Sequence, residues 1–180
     1  VFFLAALAIG AATVPLAKGR LSAFGDLKLA WGWILLLAVL VQVVILSVIP
    51  EELQGLHRPL HIGSYVLLGA FVIANWRVPG MWLITLGGLC NAAAIVANGG
   101  VMPVSRPALE SVGLYPLPDR FLNADVLTNP KLSFLGDIFP LSPLNTVVSA
   151  GDICVAVGAI VLIHGVCGSR LVPRTPGRST

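Results

Sequence analysis

The chain has 180 residues, of which 57% are hydrophobic and 11% charged, with a formal net charge of +3 and a mean hydropathy of +0.93. Soluble domains carry about 25% charged residues, so this composition leaves too little charge to cover a water-facing globule and predicts one integral membrane domain over residues 1–180. The basic residues form no clustered face, which excludes a nucleic-acid footprint as the meaning of the positive charge.

A helix needs about 20 apolar residues to cross the hydrocarbon, and five windows approach that. The first, 1–17, ends at Lys18 and lacks the charged start of a signal peptide; it reads as a span, the alternative being a surface-lying segment that leaves four. The others are 30–49, 60–76 between Arg58 and Arg77, 79–97 and 147–168. The expected fold is therefore an all-α polytopic transmembrane helix bundle of about five spans, with the lipid bilayer as its main partner. Helices in lipid pack through small residues. Ala150, Cys154 and Gly158 recur at intervals of four on the last window, and Gly88 and Ala92 on the fourth, so those faces are predicted to touch. Lys18, Arg20, Lys28, Arg77, Arg170, Arg174 and Arg178 fall on one side, against Arg58, Arg106, Arg120 and Lys131. That bias predicts an N-terminus outside and a C-terminus in the cytoplasm.

The long stretch 98–146 is too apolar for disorder and predicts an ordered cap on the outer face. "RPALESVG" and "NPKLSFLG" each place a proline near a helix start and a glycine at its end, the signature of a short helix. Phe121, Phe134 and Phe139 are expected to be mostly buried, against protein or in the lipid interface. A partner membrane protein or a lipid headgroup would meet this cap. Cys90, Cys154 and Cys167 all lie in apolar windows and read as packing residues rather than a disulfide framework.

Candidate site residues gather around the two ends of that stretch. "SAGD" fits the capping box Ser/Thr-x-x-Asp/Glu, with Ser149 as N-cap and Asp152 reaching back to a free backbone N–H. A carboxylate also suits the positive end of the helix dipole. The competing reading is functional, since an ionisable residue inside a span marks a site. Asn98, in "VANGGVMP", terminates the fourth helix and is predicted to lie close to Asp152, with "GDIFP" folded over the pair. Asn91 needs an interhelical hydrogen-bond partner. Asp137 is either a turn carboxylate in water or a neighbour of Asp152 sharing its proton; the expectation is separation, each carboxylate bound to backbone N–H groups. His57 and His61 are separated by Pro59 and, even with Glu51 and Glu52 nearby, complete no metal site. His164 stands at the other end of the last window, which argues against a shared haem. No cofactor or metal is expected, and no phosphate-binding glycine motif or serine elbow occurs.

Two resemblances attach to these residues. "VANGGVMPVS", "FLGDIFPLSPLNTVVSAGD" and "LHIGSY" resemble an uncharacterised family of small bacterial multi-span proteins, over most of the chain, a likeness that implies a bacterial inner-membrane protein and supplies no activity. "LGGLCN" with "GDIFP" and "LNTVVSAGDICVAVGAIVLI" is similar to the end of the lipoprotein signal peptidase family. That likeness implies Asp152 as its second catalytic aspartate, Asp137 as its Asp-Phe piece and Asn91 as its asparagine. Ala94 stands where the first catalytic aspartate belongs, and Asn98 is the nearest polar residue. The reading that follows is a non-enzymatic binding or accessory-subunit module with a folded outer cap. The alternative is an intramembrane aspartyl-type hydrolase using Asp152, Asp137 and Asn98.

Overall fold

The computed structural model describes residues 1–27, 29–47, 54–116 and 124–172. The chain divides into two compact units, Asp26–Val78 and the combination of Val1–Gly25 with Pro79–Thr180. In the smaller unit, α2 (Gly32–Ser47) packs against α3 (Gln54–Asn75). Asn75, only 4% exposed, closes this pair. Its amide nitrogen donates to the carbonyls of Phe71 and Ala30, both at 2.8 Å, and its oxygen accepts from the Ala30 amide at 2.9 Å.

In the larger unit α6 (Ala150–Val166) packs against both α1 (Phe2–Leu16) and α4 (Met81–Ala97). Val14, Ile163 and Cys167 form a buried cluster on the α1 side. On the α4 side the backbones approach on glycines. A methyl group added at Gly87 would strike the Gly151 carbonyl, and one at Gly158 would lie 2.8 Å from the Ile84 amide nitrogen. The helix pair is the one the small-residue spacing predicts, but the face on α4 is one residue earlier: Gly88 looks into open space.

Between α4 and α6 the chain builds short elements. β1 (Met102–Pro103) pairs in parallel with β2 (Ala124–Asp125), and β3 (Asp137–Leu141) pairs antiparallel with β4 (Thr146–Ser149). The β3–β4 link is a 3-10 turn, Ser142–Leu144, ending in left-handed Asn145. α5 (Arg106–Ser111) begins after Ser105 with Pro107 in its first turn, as "RPALESVG" predicts. "NPKLSFLG" forms only a 3-10 turn, Ser133–Leu135, entered through a left-handed Leu132.

Several expectations are overturned. The all-α architecture gives way to helices with two small two-stranded sheets. Among the described residues no helix is long and apolar enough to cross a membrane, so the transmembrane bundle of about five spans is not what this sequence forms. The bacterial inner-membrane, multi-pass placement with an outside N-terminus rested on those spans and falls with them. The reason is visible at the helix ends, where turns and strands consume residues counted as apolar helix. The 147–168 window opens with strand residues up to Ser149, and the 79–97 window opens with a left-handed Gly80, leaving 17 helical residues in each. α1 has 15 and α2 has 16. At 1.5 Å per residue these helices are about 22–26 Å long, short of the roughly 30 Å of a hydrocarbon core. α3 has 22 residues but includes Gln54, His57, Arg58, His61, Ser64 and Asn75. Leu4, Trp33, Leu36, Ile73, Trp82 and Leu89 are nonetheless exposed, so much of the apolar composition lies outside the cores.

The rings expected between α4 and α6 are not buried against the protein: Phe134 is 63% exposed and Phe139 41%. Phe121 lies outside the described residues, as do Lys28, Glu51, Glu52, Arg120, Arg174, Arg178 and the side chains of His57, Arg58 and His61.

Candidate functional site

The head of α6 carries a closed ring of hydrogen bonds. β4 delivers Ser149, fully buried, to the N-cap position, and the Asp152 amide donates to its hydroxyl oxygen at 2.9 Å. The Ser149 amide donates back to Asp152 Oδ2 at 3.1 Å, which completes the capping box. Asn91 on α4 joins both residues. Its Nδ2 donates to Asp152 Oδ1 at 2.8 Å, and its Oδ1 accepts the Ser149 hydroxyl proton, also at 2.8 Å. Each partner of the Asp152 carboxyl is a donor, the arrangement suited to a carboxylate. Gly151 makes room for this ring, because a methyl group there would collide with the Asn91 side chain.

Asp137 stands beside the ring without belonging to it. It faces Ser149 across the β3–β4 pair, and its carbonyl accepts from the Ser105 amide at 2.9 Å. Among the described residues its carboxyl receives no hydrogen bond. Burial first, and the charge of Asp152 second, push this carboxyl from 3.8 up to about 7. The expected separation into two backbone-bound carboxylates therefore describes Asp152 and not Asp137. The strand register brings the pair within electrostatic reach.

Asn98 lies elsewhere. It ends α4, and its Nδ2 donates to the carbonyls of Ala94 and Lys131, each at 2.8 Å, while its Oδ1 accepts from the Lys131 amide at 2.8 Å. The predicted contact of Asn98 with Asp152 is made by Asn91 instead, about two turns earlier on the same side of α4.

A second polar cluster went unread in the sequence. His164, 2% exposed, bonds Thr13 Oγ1 through Nε2 at 3.0 Å and Ser169 Oγ through Nδ1 at 2.8 Å. The Thr13 hydroxyl donates to the Ile9 carbonyl at 2.7 Å, which leaves its oxygen to accept from the imidazole Nε2–H. Ser169 also accepts the Leu171 amide at 3.3 Å. The network ties α1, α6 and the following turn together, with no partner left open for a ligand. Only a histidine within an apolar window hinted at it. Among the described residues no group of three His, Cys, Asp or Glu side chains could hold a metal ion.

No solved structure matches this chain. An uncharacterized protein of Thermotoga maritima is 32% identical over 101 residues, 54% of this chain and 58% of that protein. The chain thus spans little more than half of that relative's length. The model of a family of unknown function, DUF5317, matches residues 26–164, and this chain belongs to that family.

Proposed function

We propose that the chain is a non-enzymatic binding module or accessory subunit that holds a partner protein on the segment between α4 and β4. The carrying observation is a run of large apolar side chains left exposed on an ordered turn and strand. Leu132 is 39% exposed, beside the still more exposed Phe134 and Phe139. Apolar side chains exposed together mark interaction sites. The backbone beneath them is strained: Leu132 has φ 50 and ψ 38, a conformation that costs a bulky residue of order 1–3 kcal/mol. It persists because Asn98 grips both the amide and the carbonyl of the preceding Lys131. Asn98 is then a positioning residue for the presenting turn. A photo-crosslinking residue at position 134 tests this in cells that express the full chain. One discrete protein adduct, absent with the probe at exposed Ser111 and weakened by Asn98→Ala, supports the reading. Equal labelling at 134 and 111 sinks it.

A second reading draws on Asp137. A carboxyl titrating at about 7 beside a carboxylate can give and take a proton near neutral pH, the requirement for acid–base hydrolysis. Against it, both Asp152 oxygens are already engaged, and Asn98 is committed to Lys131. Peptide or ester hydrolysis by the purified chain that disappears in Asp137→Asn would favour this reading over the first.

A further inference from the structure

Asp137 sits where the parts of the larger unit's irregular segment meet. Its carbonyl holds the Ser105 amide at the start of α5, it bridges to Val104, and it faces Ser149 at the head of α6. Leu132 and Phe134 precede it in the chain and Phe139 follows it, across an irregularity in the strand pairing between Asp137 and Phe139. Its carboxyl has no hydrogen-bond partner among the described residues, and the nearest charged group acting on it is Asp152.

Among the described residues the elements packed against β3 offer no compensating cation. β4, β1 and the Ser133–Leu135 turn contain no titratable side chain. α5 contributes Arg106 and Glu110, which pair with each other at 2.7 Å, the guanidinium lying over Tyr115. α6 contributes Asp152 at this end and His164 at the other, the latter bound to Thr13 and Ser169. Asp125 uses its carboxylate on the Val126 amide at 2.7 Å.

We propose that Asp137 is a proton-operated latch on the β3–β4 hairpin: neutral, it seats β3 beside the head of α6; ionised, it is repelled by Asp152 and loosens β3 from Ser105 and β4. The turn that presents Leu132, Phe134 and Phe139 loosens with it. The effect on partner binding rests on the binding-module reading above, whereas the latch does not. Burial and Asp152 set the working range near pH 7. The seated form has the higher proton affinity, so it is favoured at low pH and is lost as pH rises through that value.

Amide hydrogen exchange on the full chain reads the latch without a partner. Protection of the Ser105 amide and of residues 137–141, corrected for intrinsic exchange, is expected to fall about tenfold between about pH 6 and about pH 8. In Asp137→Asn it stays constant. Asp152→Asn removes the repelling charge, so the fall in protection shrinks and ends at lower pH, an outcome that serves if Asp137→Asn does not fold. Protection in the wild type that does not change with pH, or that falls equally in Asp137→Asn, overturns the proposal. A working latch with no crosslink at position 134 removes the binding module and leaves the latch; a crosslink without pH-dependent protection does the reverse.

Discussion

Replacing Asp137 by Asn keeps the side chain's shape and abolishes its charge at every pH. The carboxyl titrates at about 7 when folded and near 3.8 otherwise. The difference amounts to at most about 4 kcal/mol at 1.36 kcal/mol per pH unit, and partial solvent access reduces it to roughly 2–3 kcal/mol. The sign follows from the raised folded value. Below about pH 4 the carboxyl is neutral in both states and folding is not penalised. Between about pH 4 and about pH 7 the unfolded chain ionises while the folded chain resists, and stability falls. Above about pH 7 the loss is complete. Asp137→Asn is therefore expected to match the wild type at about pH 4 and to exceed it by roughly 2–3 kcal/mol at about pH 8. Denaturant unfolding of both proteins across that range measures the difference directly. A difference that stays flat with pH, or that grows toward acid, would refute the placement of Asp137 in a field of burial and like charge.

Other perturbations test the packing around this site. Ser149→Ala removes the cap on the Asp152 amide and the proton given to Asn91, and should lower unfolding free energy by about 1–2 kcal/mol. Gly87→Ala forces a methyl group against the Gly151 carbonyl and should lower thermal stability by about 1–3 kcal/mol. Gly88→Ala meets nothing and should be neutral or stabilising by up to about 1 kcal/mol; equal losses at the two positions would place the α4 contact face elsewhere. Thr13→Val leaves the His164 Nε2–H buried without its acceptor, and chemical denaturation should show a loss of about 1–3 kcal/mol.

What could be read from the sequence was local. "SAGD" announces its capping box because the chemistry closes within four residues, and each apolar window contains the greater part of one helix. Their ends were overrun, since Val147, Val148 and Gly80 are as apolar in a strand or a left-handed turn as in a helix. Strands of two to five residues give no alternating pattern long enough to separate them from loops, so the all-α reading absorbed them. On α4 two small-residue rows run side by side, Gly87 with Asn91 and Gly88 with Ala92. Spacing alone does not choose between them. Asp137 depended on register across the Ser142–Leu144 turn, and Asn98 on a backbone 33 residues away. Neither partnership leaves a trace at fixed spacing.

Ser149 explains why a helix cap and a perturbed carboxyl occur together. It is at once the last residue of β4, the N-cap of α6, the donor to Asn91 and the strand partner of Asp137. Capping requires its amide and hydroxyl to point toward Asp152, and antiparallel pairing then places Asp137 opposite the same residue. The Ser149 amide goes to Asp152 and its hydroxyl to Asn91, and among the described residues no donor reaches the second carboxyl. A hairpin leading directly into a capped helix thus forces the asymmetry between the two aspartates: one fully hydrogen-bonded, the other excluded and protonated near neutral pH. Stability alone would favour Asn or Ser at 137, since either relieves the repulsion without disturbing the ring. The charge of Asp137 is thus one that the fold does not require, and the proposed latch is a use for it.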